Sequence, residues 1–251
     1  MILSHRWRFI FIKGRKVAGT SVEIALSTLC GRDDIVTPIT ARDEVTRFRA
    51  GGQCRNYAWD PAEEVPYRAT IARFAETGAR VDMPPHTRLR YYNHISLRET
   101  LRRHGGDLSG YRVFCVERSP YSKALSLANM RASYAEYMSG GAMRANQQQL
   151  IKALDRSIAD GSISLTRNID LYRGADGDLA ARVLRYAELP GALHCFLAEL
   201  GAPAPALPHT KKGLMADTLD PCTLLRPDQI ARINDLFDEE FQAFGYPMID
   251  P

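Results

Sequence analysis

Trp7-Arg8-Phe9-Ile10-Phe11-Ile12-Lys13-Gly14-Arg15-Lys16-Val17-Ala18-Gly19-Thr20-Ser21-Val22-Glu23-Ile24-Ala25-Leu26 is the stretch on which the fold turns. Trp7 to Lys13 is aromatic and β-branched, with no polar alternation after Arg8, the pattern of a strand buried on both faces. Gly14 to Gly19 is a turn. Thr20 to Cys30 reads as a helix, with Val22, Leu26 and Leu29 along one face and Gly31 as the stop. Strand, glycine-bracketed turn and helix form the opening unit of an α/β protein.

Outward from this stretch, a short helix is expected from Ala41 to Arg49. Residues 51–67 carry Gly51-Gly52, Pro61 and Pro66 and read as an irregular excursion. Ser96-Leu97-Arg98-Glu99 is a capping-box pattern that starts a helix ending at Gly105-Gly106. Tyr111 to Glu117 is a second apolar strand. Ser119-Pro120 caps a helix running to about Met138, and Asn146 to Asp160 forms another. A strand is expected over Leu179 to Tyr186 and a helix over Leu193 to Leu200. Pro227 to Phe244 closes the chain as an amphipathic helix, with Ile230, Ile233, Leu236, Phe237 and Phe241 on its apolar face. No linker-like segment divides the chain, so residues 1–251 are expected to form a single domain.

Composition bounds the function. The chain has 251 residues, 45% of them hydrophobic and 25% charged, which is an ordinary globular balance. Its 33 basic residues exceed its 29 acidic ones for a net charge of +4, and 27 of the basic residues are Arg while only six are Lys. Such a charge excludes a highly basic nucleic-acid tail but not a local anion site. No apolar run reaches the roughly 20 residues that span a bilayer, and Phe9 to Ile12 is too short for a secretion signal. The five scattered cysteines show no metal spacing. A cytoplasmic chain with no metal centre is expected.

Gly14-Arg15-Lys16-Val17-Ala18-Gly19-Thr20-Ser21 nearly matches the nucleotide-binding loop GxxxxGK[ST]. Thr20 stands where the loop lysine belongs, and the lysine sits four residues earlier, at Lys16. Backbone amides from Gly19 to Ser21 lie at a helix N-terminus and suit an anion. Thr20 and Ser21 add hydroxyl donors, and Lys16 adds a point charge. A phosphate derivative is therefore expected without triphosphate–magnesium geometry. At the second strand end, Arg118 is placed where open α/β sheets bind ligands, and its guanidinium suits a bidentate grip on phosphate. Ser126 follows two helical turns on.

These two stretches resemble the sulfotransferases that use 3′-phosphoadenosine 5′-phosphosulfate (PAPS), closest to the carbohydrate-type family 2 enzymes and their bacterial relatives. The family's first motif, Pro-Lys-(Thr)-Ala-(Gly/Ser)-Thr-Ser after a strand, is matched by Lys16, Ala18, Gly19, Thr20 and Ser21, with Arg15 where Pro is usual. The second, Arg-(Asp/Asn)-Pro and a later Ser, is matched by Arg118, Pro120 and Ser126, with Ser119 replacing Asp or Asn. The ending Glu239-Glu240-Phe241-Gln242-Ala243-Phe244-Gly245-Tyr246 is also similar. Together the matches cover about a quarter of the chain. The resemblance implies a three-layer α/β fold, a parallel sheet flanked by helices, related to the P-loop nucleotide kinases. It also implies a 5′-phosphosulfate held by the first motif, a 3′-phosphate held by the second, and release of adenosine 3′,5′-bisphosphate. A hydroxyl-bearing acceptor, a glycan or a small molecule, completes the expected partners, with no nucleic acid among them.

The resemblance gives Lys16 the leaving-group role. It also gives a histidine base to the interval that contains His94, in Tyr91-Tyr92-Asn93-His94-Ile95-Ser96, 24 residues ahead of Arg118. His86 and Glu23 are the competing bases. Lys211-Lys212-Gly213 is similar to the late Arg-Lys-Gly loop that binds the 3′-phosphate in cytosolic-type enzymes; a solvated charged loop is the alternative. Lys13 is placed to flank the phosphates, Arg88 and Arg90 to meet an anionic glycan, and Lys123 on the surface of the Arg118 helix. An ATP-dependent kinase of the P-loop class and a non-catalytic anion- or glycan-binding protein are the other two readings.

Overall fold

The computed structural model describes residues 1–78, 82–84, 88–134, 146–208 and 220–251. The chain is α/β, with a five-stranded mixed sheet flanked by helices. Its described residues group into two compact units interleaved along the chain. The first takes residues 1–13, 18–78, 82–84, 88–116 and 171–208, and the second takes 14–17, 117–134, 146–170 and 220–251. No helix among the described residues is long and apolar enough to cross a membrane.

In the first unit the sheet has the order β3-β1-β2-β4-β5, built from β1 (Ile2–Ser4), β2 (Phe9–Phe11), β3 (Ile35–Val36), β4 (Arg112–Glu117) and β5 (Arg182–Arg185). The expected all-parallel sheet is corrected here. β2 and β4 are parallel, with Phe9 opposite Arg112 and Phe11 opposite Phe114. β1 runs antiparallel to both β2 and β3. Only residues 5–8 join β1 to β2, too few for the crossover a parallel pair needs. The same turn shortens the expected Trp7–Lys13 strand, because Arg8 takes a φ of 53° and cannot extend it. One ladder bond persists beyond β2, from Ile12 N–H to the Phe114 carbonyl at 3.0 Å.

Helices α1 (Gly19–Ser27), α2 (Ala41–Arg49), α3 (Glu64–Thr77) and α4 (Leu97–His104) lie in this unit. Thr40 caps α2 by accepting from Asp43 N–H. Ser96 caps α4 by accepting from Glu99 N–H, as the sequence pattern predicts. The Glu99 side chain does not close the box; it pairs with Arg102 and Arg103 instead. Helix α3 lies where the two prolines suggested an irregular excursion. Pro61 and Pro66 fall in first turns, where a missing N–H costs nothing. From α3, the buried Glu64 carboxylate accepts from the N–H groups of Asn56, Tyr57 and Ala58 at 2.7–3.0 Å and ties down the 51–58 excursion.

Aromatic stacking closes the core of the first unit. Phe114 of β4 packs against Phe9 and Phe11 of β2 at ring distances of 5.7 and 5.2 Å. It also packs against Phe196 of the helix over Gly191–Glu199 at 4.3 Å. The second unit is helical, with α5 (Pro120–Ala132), α6 (Gln147–Ala159) and the closing helix over Pro227–Phe244. Tyr121, Leu125, Ala128, Leu150, Leu154, Ile163, Ile233, Phe237 and Phe241 form its core. The sequence bounds of the closing helix agree with the structure, and Gly245 ends it at a φ of 64°.

Replacing Phe114 by Ala removes a fully buried ring from three aromatic contacts and is expected to cost about 3–5 kcal/mol of stability. Urea unfolding measures it; a loss below about 1 kcal/mol would contradict this account of the core.

Candidate active site

In the first unit, Lys13 leaves β2 with its side chain buried, and its ammonium donates to Glu23 Oε2 at 2.7 Å. Its backbone carbonyl lies 3.0 Å from His94 Nδ1. A carbonyl only accepts, so Nδ1 carries a proton and donates to it. His94 holds a φ of 59°, an uncommon conformation for a residue with a side chain. The Ile95 N–H to Tyr92 carbonyl bond at 3.2 Å closes the turn that places it.

Ala18 caps α1 in the left-handed region, at φ 59° and ψ 17°, with no side-chain cap. Gly19 is buried in the first turn, and Thr20 and Ser21 are half-buried behind it. Lys16 also has a positive φ, 63°, while Val17 between them does not. Alternation of positive φ is a feature of backbone anion nests, and this loop is followed by the N-terminus of α1.

In the second unit, Lys16 Nζ lies 3.5 Å from Met130 Sδ of α5. Met130 is one turn past Ser126, on the same side of that helix. Arg118 is buried and immediately precedes the Ser119 cap of α5. Lys16 thus approaches α5 near its C-terminal end, while Arg118 precedes its first turn and Ser126 lies between. Ser126 is buried rather than a routine surface hydroxyl. The surface placement expected for Lys123 is corrected: it is fully buried, 2.9 Å from Glu117 and paired with Glu240. The apolar partners at Ala124, Leu125 and Phe237 surround the same turn and draw the lysine stem inward.

Glu23 lies fully buried one turn into α1. It meets Lys13, the Met1 amino group, the Arg47 guanidinium at 3.6 Å and the Thr37 hydroxyl at 3.0 Å. Burial by itself would push the carboxyl upward, yet Lys13, the Met1 amino group and Arg47 hold it far below the ordinary carboxylate range. A carboxylate so held is a poor proton acceptor. His86, Lys211 and Lys212 lie outside the described residues.

Sequence reasoning missed Asn168, which is fully buried and bonded to the Arg15 backbone. Nothing in Thr166-Arg167-Asn168-Ile169 signals it, because its partner is 153 residues away. A cleft of about 700 Å³ in the second unit is lined by Arg131, Gln149, Lys152, Arg156 and Asp160. It holds none of the motif residues, and Arg131 there already serves Asp160, Ser157 and Ser162. The motif geometry is therefore the better guide to the chemistry. Comparison with protein-family models, curated proteins and solved structures finds no match to the chain.

Two outcomes follow from this electrostatics. Glu23→Gln leaves buried Lys13 and Arg47 without their shared anion and is expected to lose about 3–5 kcal/mol of stability. A variant of near wild-type stability with lost turnover would instead mark Glu23 as chemical. Because the folded pKa of Glu23 is depressed, its stabilisation is complete above the ordinary value of 4.5 and is lost as pH falls below it. Acid titration of the thermal midpoint should fall less steeply below that pH in Glu23→Gln than in wild type.

Proposed function

We propose that this chain is a PAPS-dependent sulfotransferase acting on a hydroxyl, with a carbohydrate as the acceptor class. The observation that carries the proposal is His94. Its Nδ1 donates to the carbonyl of Lys13, three residues before Lys16, which ties its ring to the backbone leading into the lysine loop. The order of the two motifs, lysine loop first and arginine strand end about 100 residues later, supports the same reading.

PAPS supplies the sulfuryl group that moves to the acceptor oxygen. His94 takes the acceptor proton at Nε2, which frees the oxygen to form its bond to sulfur. Lys16 places its ammonium where charge builds on the departing phosphate oxygen, and the amides of Ala18 to Ser21 share that charge. Arg118 and Ser126 grip the 3′-phosphate, so that binding energy remote from the reacting centre holds the donor in line. Glu23 keeps the Lys13 ammonium in place and so fixes the backbone that orients His94.

Isothermal titration with adenosine 3′,5′-bisphosphate is expected to show magnesium-independent binding that Lys16→Ala weakens. With labelled PAPS and a glycan panel, His94→Ala is expected to cut turnover about 100-fold while leaving bisphosphate affinity nearly unchanged. Absence of bisphosphate binding sinks the proposal. Magnesium-dependent ATP binding in its place would favour a kinase. Binding that survives Lys16→Ala and His94→Ala, with no turnover in any form, would favour a non-catalytic anion- or glycan-binding protein.

A further inference from the structure

Asn168 uses its carboxamide on the backbone of the glycine loop. Arg15 N–H donates to Asn168 Oδ1 at 2.8 Å, and Asn168 Nδ2 donates back to the Arg15 carbonyl at 3.0 Å. Both polar groups of that backbone residue are fixed by one side chain. The next residue is Lys16, in its left-handed conformation. Nδ2 also donates to Glu117 Oε1 at 2.6 Å.

Asn168 is itself anchored. Its N–H donates to Glu240, and the N–H of Ile169 donates to the same Oε1 at 3.0 Å. The other Glu240 oxygen pairs with Lys123, which also reaches Glu117 Oε2 at 2.9 Å. Glu117 Oε2 in turn accepts from Arg118 N–H at 3.2 Å. Glu117, Lys123, Asn168 and Glu240 are all fully buried, two carboxylates around one ammonium with their remaining lone pairs answered by N–H donors. Buried networks in which each member is bonded are stiff and specify one arrangement. The Glu117 carboxylate thus touches both phosphate motifs, Arg118 directly and the lysine loop through Asn168.

We infer that Asn168 is the positioning residue of the anion-binding loop, holding the Arg15 backbone so that the following Lys16 and its amide nest keep their shape. It does not touch the ligand. The clamp stands on the geometry above; only the identity of the ligand rests on the PAPS reading.

The test compares Asn168→Ala with Ile163→Val, a mild core change in the same unit that leaves Arg15 alone. The two readouts are titration with adenosine 3′,5′-bisphosphate and hydrogen exchange of the peptide containing Arg15. Asn168→Ala is expected to weaken bisphosphate binding about tenfold or more and to speed Arg15 exchange, since the loop is no longer held in register. Ile163→Val should leave both readouts near wild type even where the thermal midpoints match. Affinity within about twofold of wild type, or a loss that Ile163→Val reproduces at equal stability, overturns the positioning role. Where Asn168→Ala does not fold, Asn168→Ser, which keeps a polar group but loses the reach, takes its place with the same criteria. If wild type itself binds no bisphosphate, the PAPS reading fails, and exchange alone decides the clamp: faster Arg15 exchange than in Ile163→Val sustains it, and equal exchange overturns it.

Discussion

Glu23 has no access to water, and a buried carboxylate survives as an anion only if cations and donors answer it. Those that do so come from the end of β2 (Lys13), from α2 (Arg47) and from the segment after β3 (Thr37). Strand end, first helix, second helix and edge strand are thus tied to one side chain. Arg47 is held further by the Thr37 carbonyl and Glu44. The backbone carbonyl of the same Lys13 accepts from His94 Nδ1, so the residue that answers Glu23 through its side chain also holds the His94 ring through its main chain.

A second charge cluster does comparable work in the second unit. Lys123 would be costly to bury alone, and its two carboxylate partners would repel one another without it. Together, and with N–H donors on the outer oxygens, they form a fixed point from which Asn168 reaches the loop and Glu117 reaches Arg118. Tyr246 adds a hydroxyl bond to the Glu117 carbonyl at 2.9 Å. Near the end of the chain, Glu240 and Tyr246 both meet the Glu117 cluster.

What could be read from the sequence divides by range. Local signals carried well: Ser96 as a cap, Gly105 and Gly245 as stops, and the periodicity of Pro227 to Phe244. Signals with two local meanings misled. Pro61 and Pro66 end helices in general but here open them, and α3 was hidden by that ambiguity. The strand β1 was missed because Ile2-Leu3-Ser4 is too short to show a period, and its pairing depends on a turn whose key feature is the positive φ of Arg8. With β1 unseen, the mixed character of the sheet could not be inferred.

The site divides in the same way. Lys16, Ala18, Arg118 and Ser126 could be named from sequence because each belongs to a pattern of residues near one another in the chain. Asn168, Arg47 and the burial of Lys123 could not, because each depends on partners brought together only by folding. Composition gave no warning either. Among the described lysines, the two that are buried, Lys13 and Lys123, look like any surface lysine in sequence, and both answer carboxylates. Lys16 lies in the loop with a half-exposed side chain, 3.5 Å from the Met130 thioether. Position along the chain separates the two: Lys13, at the strand end, is drawn inward to Glu23, whereas Lys16, three residues on, keeps partial contact with solvent.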